Sequence, residues 1–194
     1  MYSANITGGG LLLQESRILA QKLLSGVPLA ALMAITLSEN LLQKRSPATT
    51  SKMAGLIISR LSLLDEKFLR LVVEGDKREA SLLLLAAISE AHELVGDFLI
   101  YIGRECFAQY QKILTEKDWE KFFDQCAQKQ PSLNTWSEST VKKLRNVVFK
   151  ILLECEIIDD KTNELHPLIL PSTVRAYLEA PQKGYARLCL EGLV

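Results

Sequence analysis

The sequence predicts an all-α protein that folds as a compact helical bundle. Apolar residues recur at helical spacing along most of the 194 residues, as in Met53, Ile57 and Leu61. Glycines such as Gly26 and Gly75 stand where those apolar patterns stop, which is typical of helix ends. Hydrophobic residues make up 48% of the chain, enough for a sizeable core.

The first two predicted helices follow a glycine-rich opening. Gly8, Gly9 and Gly10 predict a flexible segment, although Tyr2 and Ile6 are able to dock on the body of the protein. A helix is expected over residues 11–25 and a second one from Pro28 to about residue 42. The apolar residues available for burial in the first helix are Leu12, Ile18, Leu19 and Leu23.

Further helical segments are predicted in the middle of the chain. One ends at Gly75, and Asp76 is placed to cap the long apolar helix that follows. An apolar and aromatic series over residues 97–114 has near-helical spacing and is expected to be core: Phe98, Leu99, Ile102, Phe107, Tyr110 and Leu114. Thr115 with Asp118 then indicates another helix start, with Trp119, Phe122 and Phe123 facing inward.

A polar segment around Pro131 predicts a division into two parts. Residues 1–130 would form an N-terminal helical bundle with a helix-turn-helix-like element, and residues 131–194 a C-terminal winged-helix-like helical subdomain. In the C-terminal part, Asp159 and Asp160 indicate a turn between two short extended segments, before a helix capped by Ser172. The alternative is a terminal three-helix cluster with lysines on its solvent side.

A basic stretch without any Asp or Glu spans residues 40–64. Pro47 disfavours helical geometry at the preceding residue, so residues 43–48 are predicted to form a turn. Thr49 or Thr50 is expected to cap the next helix. Two helices joined by a polar turn, the second with a basic outer face, form either a helix-turn-helix element or an ordinary helical hairpin.

The polar side chains of this stretch are the first candidate phosphate contacts. On the predicted helix, Lys52 and Arg60 lie opposite the apolar face that contains Met53 and Ile57. The candidates are Gln43, Lys44, Arg45, Ser46, Thr49, Lys52 and Arg60.

A second basic stretch without acids spans residues 139–153. Its helix start is indicated by Ser137, and also by Thr135 with Glu138. The apolar face consists of Val141, Leu144, Val148, Ile151, Leu152 and Cys155. The opposite face carries the second set of candidate contacts, Lys142, Lys143, Asn146 and Lys150.

Charge is segregated along the chain although the formal net charge is zero. The two basic stretches hold eight of the 23 Lys and Arg residues, which leaves 15 basic against 23 acidic residues elsewhere. Such segregation is expected when one face binds a polyphosphate and the others must not, or when one face binds an acidic protein.

No enzyme, metal or cofactor site is predicted. His92 and His166 stand in no metal-binding or catalytic motif, and the chain has neither a P-loop nor a nucleotide-binding glycine fingerprint. The four cysteines form no CxxC pair, so buried reduced thiols are expected. No apolar run is long enough to span a membrane and no signal peptide is evident, which predicts a cytoplasmic protein.

Four segments resemble the BrxA family of bacterial BREX phage-defence systems: ITGGGLLLQESRILAQKLL, ENLLQKRSPATTSKMAGLIISRL, DWEKFF and WSESTVKKLRNVVFKILLECEIID. Met53-Ala54 departs from the resemblance, because relatives more often look basic there. The resemblance covers nearly the full length. It implies a small all-helical cytoplasmic protein similar to the antitermination factor NusB and associated with nucleic-acid binding. It also implies a defence set that includes an adenine methyltransferase and an ATPase.

The sequence hypothesis is therefore a non-catalytic component of a BREX system that binds double-stranded DNA through its two basic faces. One rival is a protein-interaction adaptor whose basic faces dock acidic surfaces of other BREX components. RNA, suggested by the NusB likeness, is a further alternative ligand.

Overall fold

The protein is all-helical. The computed structural model describes residues 1–194, with ten α-helices and no β-strand. The helices are α1 (Leu13–Leu24), α2 (Leu29–Ser38), α3 (Pro47–Leu61), α4 (Glu66–Glu74), α5 (Lys77–Ala91), α6 (Glu93–Tyr101), α7 (Glu116–Lys129), α8 (Glu138–Glu154), α9 (Ser172–Leu178) and α10 (Gly184–Glu191). The all-α prediction is confirmed.

Helix α5 is the centre of the bundle. Asp76 caps it by accepting a hydrogen bond from the Glu79 amide, as predicted, and every residue from Ala80 to Ser89 is buried. A helix that is apolar on all sides must be surrounded by other elements. Helices α3, α4, α6, α9 and α10 pack around it.

An aromatic cluster joins α6 to α7. The Phe98 ring lies 5.1 Å from Trp119 and 5.0 Å from Phe122 between ring centres. Thr115 and Asp118 form the predicted capping box at the start of α7. Tyr110, predicted to be core, is 92% exposed because it follows the helical segment in a left-handed turn with φ of 56°. That part of the core prediction is wrong.

One apolar core extends through the whole molecule. It includes Phe98 and Leu85 from before the polar segment at Pro131 and Leu133, Leu144 and Leu152 from after it. The division at residues 130 and 131 stays a prediction about organisation, but both parts contribute to the same core.

The glycine-rich opening is held against the body through Tyr2 and Ile6, the two residues expected to be able to dock there. Ile6 is buried, and the Tyr2 hydroxyl donates to the Asp97 carboxylate. At the other end of the segment, the Leu11 amide donates to Glu154 Oε2 at 2.8 Å. Residues 1–11 therefore form an ordered strap that reaches α6 and α8.

Several predicted helix details are wrong. Helix α2 ends at Ser38 rather than near residue 42, and Ile18 is exposed. The cap of α3 is Ser46, whose Oγ accepts from the Thr49 amide, because Pro47 occupies the first helical position. Ser172 is the first residue of α9 and not its cap.

The C-terminal extended segments make only single bridges. Ile158 pairs with Leu165, and Ile113 pairs with Glu164, without forming a strand. The Asp159 carboxylate accepts hydrogen bonds from the Lys161 and Thr162 amides, which confirms the predicted turn. The winged-helix likeness stays a prediction, as does the likeness to NusB.

Candidate nucleic-acid interface

A surface groove of about 510 Å³ brings the two basic stretches together. Lys44 belongs to the first stretch, while Asn146 and Lys150 belong to the second. The glycine-rich strap also lines the groove, with Gly8 beside Lys52 of α3 and Gly10 beside Lys150 of α8. The lining residues are Thr7, Gly8, Gly9, Gly10, Leu12, Glu15, Lys44, Met53, Asn146, Val147 and Lys150.

The turn between α2 and α3 directs Lys44 towards the groove. Asn40 and Gln43 both adopt positive φ, at 44° and 50°, which folds the chain back on itself. The Asn40 Oδ1 accepts the Lys44 amide at 3.2 Å. The Lys44 ammonium then lies 3.0 Å from the Glu15 carboxylate at the start of α1.

Residues 39–46 form a longer connection than the turn of about three or four residues in a DNA-binding helix-turn-helix. That designation for α2 and α3 therefore stays a prediction. Within the turn and the first residues of α3, Gln43, Arg45, Ser46 and Thr49 are all exposed.

Lys52 extends along the strap. A Cβ atom at Gly8 would lie 2.5 Å from Lys52 Cε, so glycine leaves room for the aliphatic part of this lysine. The Lys52 ammonium lies 3.5 Å from the Thr7 hydroxyl and has no acidic partner.

Helix α8 supplies the opposite side of the groove. Lys142, Asn146 and Lys150 recur every four residues, which places them along one side of the helix. All three are exposed, as is Lys143. Lys142 and Lys143 form no ion pair, and Lys150 lies 3.9 Å from Glu154. The predicted apolar side is buried at Leu144, Val148, Ile151, Leu152 and Cys155, whereas Val141 is half-buried.

Arg60 does not belong to the surface, which corrects its assignment as a phosphate contact. Its side chain is fully buried, and Nη1 donates to the carbonyl oxygens of Gly10 at 2.9 Å and Leu11 at 3.0 Å. Burial lowers the pKa of Arg60 to about 10, although the nearby Glu154 acts in the opposite direction. Its role is to hold the strap, because carbonyl groups buried without a donor are costly.

The structure thus brings three of the predicted contacts, Lys44, Asn146 and Lys150, into one groove, and the availability of the predicted cations differs. Arg45, Lys52, Lys142 and Lys143 take part in no ion pair, whereas Lys44 is neutralised by Glu15. Sequence reasoning missed the strap residues Thr7–Gly10 and the acid at position 15. The run of three glycines was the available signal for the strap, and nothing in the local sequence marked Glu15.

No three His, Cys, Asp or Glu side chains are grouped so that they could hold a metal ion. The four cysteines are buried and unpaired, as expected. None of the ten helices combines the length and the hydropathy that a membrane crossing requires.

Comparison of the sequence with known proteins shows which family this chain belongs to. A profile described as BrxA matches residues 1–182. The chain belongs to the BrxA family. BREX protein BrxA from Paramagnetospirillum magneticum (strain ATCC 700264 / AMB-1) is 34% identical over 191 residues, which cover 98% of this chain and 96% of that protein. BREX protein BrxA from Escherichia coli O9:H4 (strain HS) is 30% identical over 174 residues, covering 89% of this chain and 82% of that protein.

This chain is also similar to a protein whose crystal structure has been solved. An uncharacterised protein from Magnetospirillum magneticum superposes with a TM-score of 0.86 at 32% identity, covering 97% of both chains. Nearly the whole helical arrangement of this BrxA-family chain therefore has a counterpart among solved structures.

Proposed function

We propose that this BrxA-family protein is a non-catalytic, cytoplasmic component of a BREX system that binds double-stranded DNA. The phosphate backbone would lie along the groove between the α2–α3 turn and α8. The observation that carries the proposal is the convergence of two acid-free basic stretches, distant in sequence, on the two sides of one groove.

The chemistry of the groove favours backbone binding over base reading. Lysine ammonium groups interact with phosphate as point charges, without the paired geometry that arginine offers to base edges. We therefore expect weak sequence preference. With about four to six phosphate contacts, the slope of log affinity against log salt concentration should be roughly −4 to −5.

The test is a titration of labelled duplex DNA with the full-length protein across a range of salt concentrations. Lys142 and Lys143 lie on α8 one turn before the groove-lining Asn146, at the end of the proposed phosphate path. Lys142→Glu combined with Lys143→Glu should abolish binding, because it replaces two unpaired cations with repulsive charges. The melting temperature should stay the same, since both side chains are exposed and unpaired.

A matched control is Lys117→Glu combined with Lys121→Glu. It makes the same charge change at exposed positions of α7, which does not line the groove. Affinity that does not depend on salt, or equal loss in both double variants, would contradict the groove as the binding surface. A parallel titration with duplex RNA decides between the two nucleic acids.

A second candidate function is that of an adaptor that docks other BREX components, and α2 favours it. The helix carries no charged residue from Leu29 to Ser38, and Leu29 and Leu37 are 41% and 40% exposed. Their spacing of eight residues places them on one face with Met33. Exposed apolar patches are typical of protein interfaces.

Leu29→Glu combined with Leu37→Glu tests the adaptor function. The double variant should lose co-purification with the other BREX components while it keeps its affinity for DNA, since neither leucine lines the groove. Retention of every component by the double variant would count against this surface.

A further inference from the structure

Glu15 places a carboxylate inside the cationic groove. Its Oε1 lies 3.0 Å from the Lys44 ammonium, and the two side chains are 21% and 34% exposed. Glu15 belongs to the first turn of α1, where the positive end of the helix dipole favours an acid. The Lys44 ammonium and the helix dipole therefore both favour the negative charge of this carboxylate.

This carboxylate and a phosphate compete for the same cation. Both are anionic acceptors, and an ammonium that donates to one is partly neutralised for the other. A phosphate entering beside Lys44 must also approach the negative charge of Glu15. We propose that Glu15 is a built-in competitor that weakens nucleic-acid binding in the groove by occupying Lys44. This inference rests on the proposed function.

The other acid of the groove region has a different role. Glu154 accepts the Leu11 amide at 2.8 Å with Oε2, and its Oε1 is 3.9 Å from Lys150. It anchors the strap and only weakly engages a lysine. Glu15 has no backbone partner among its hydrogen bonds, so its contact in the groove is with Lys44 alone.

The expected effect of Glu15→Gln follows from the strength of such pairs. Partly exposed ion pairs are worth up to about 1 kcal/mol, which corresponds to about three- to fivefold tighter binding once the competitor is neutral. The freed Lys44 also adds about one phosphate contact. The salt slope should therefore become steeper by about 0.9.

The experiment compares duplex-DNA titrations of the wild type, Glu15→Gln and Glu15→Gln combined with Lys44→Ala across salt concentrations. The matched control is Glu191→Gln, which makes the same charge change and frees Arg187, 4.0 Å away on α10, outside the groove. Thermal melting checks that each variant folds, and Glu15→Ala is the second variant with the same expected gain.

The expected result is tighter binding and a steeper slope for Glu15→Gln only, with the gain lost when Lys44 is also removed. If the wild type binds DNA and Glu15→Gln binds it with the same affinity, the inference is overturned and the proposed function stays intact. A gain that persists without Lys44 would overturn it too, because general repulsion would then be the cause. Absence of binding by both the wild type and Glu15→Gln would overturn the inference together with the proposed function.

Discussion

The two basic stretches look alike in sequence but contribute differently to the folded protein. In residues 40–64, Arg60 is buried under the strap and Lys44 is paired with Glu15, so only Arg45 and Lys52 remain unpaired. In residues 139–153, Lys142 and Lys143 are exposed and unpaired, whereas Arg145 pairs with Glu116 at 2.6 Å and Lys150 lies 3.9 Å from Glu154 at the surface. Neither of these two paired cations is buried under the strap as Arg60 is. The absence of local acids therefore does not ensure a free cation, because partners come from distant parts of the chain.

The two stretches differ because α3 and α8 contact the strap through different groups. Helix α3 packs under an irregular segment whose carbonyl groups need donors, and a buried guanidinium supplies them. Helix α8 holds the same segment through the acceptor Glu154 and leaves its lysines to solvent. The comparison separates cations that stabilise the fold from cations that we propose bind phosphate, and substitutions can test that separation.

The largest expected effect is on stability, from Arg60→Ala. The substitution removes two hydrogen bonds to the Gly10 and Leu11 carbonyl groups and leaves a cavity. The free energy of unfolding should fall by about 3 kcal/mol. Urea denaturation measures this change, and Arg45→Ala is the matched control at an exposed position.

Arg45→Ala should leave the free energy of unfolding nearly unchanged and weaken DNA binding instead. Equal stability of the two variants would show that the buried and exposed arginines of this stretch are not separated as described.

The second-largest effect is a loss of folding stability at acid pH that depends on His92. The charge of Arg60 acts on this histidine. Burial, and to a smaller extent Arg60, lowers the pKa of His92 to about 4. Because the unfolded imidazole titrates near 6.5, the unfolded state binds more protons between these values. Stability should fall by about 2–3 kcal/mol as the pH drops from about 6.5 to 4.

Urea denaturation at a series of pH values measures the slope. His92→Gln should remove this contribution, since an amide does not titrate. An unchanged slope in that variant would assign the acid sensitivity to the carboxylates.

The smallest effect compares single lysines of the two stretches. Lys142→Ala should weaken duplex binding about fivefold at ~0.15 M salt and make the salt slope shallower by about 0.9, the contribution of one phosphate contact. Lys44→Ala should change the affinity less than about twofold, because the partly exposed ion pair with Glu15 already offsets its charge. Equal losses from both substitutions would contradict the difference between the stretches.

Much of the fold could be predicted from sequence because its signals are local. Asp76, Ser137 and the Thr115–Asp118 box act on the residues that follow them, and the structure confirms all three helix starts. The predicted burial of Tyr110 and Ile18 was wrong, because helical spacing predicts which face of a helix is apolar but not where along the chain the packing ends. The cap of α3 was missed because Pro47 at the first helical position moves it to Ser46.

The candidate site was less predictable. The lysines of α8 follow from helical phase alone, but the burial of Arg60 depends on Gly10 and Leu11, and the pairing of Lys44 depends on Glu15. These contacts join distant segments, so no local pattern encodes them. The convergence of both stretches on one groove is likewise a property of the tertiary packing.

The strap carries a consequence for biosynthesis. Its first residues leave the ribosome early, yet the helix that completes the groove lies at residues 138–154. The N-terminal part of a chain emerges and begins to fold first. A nascent chain therefore contains the α2–α3 turn with Lys44 before it contains the lysines of α8. The growing polypeptide therefore lacks the assembled groove, the proposed nucleic-acid surface, until translation has passed α8. A product that stops before this helix would lack the groove altogether.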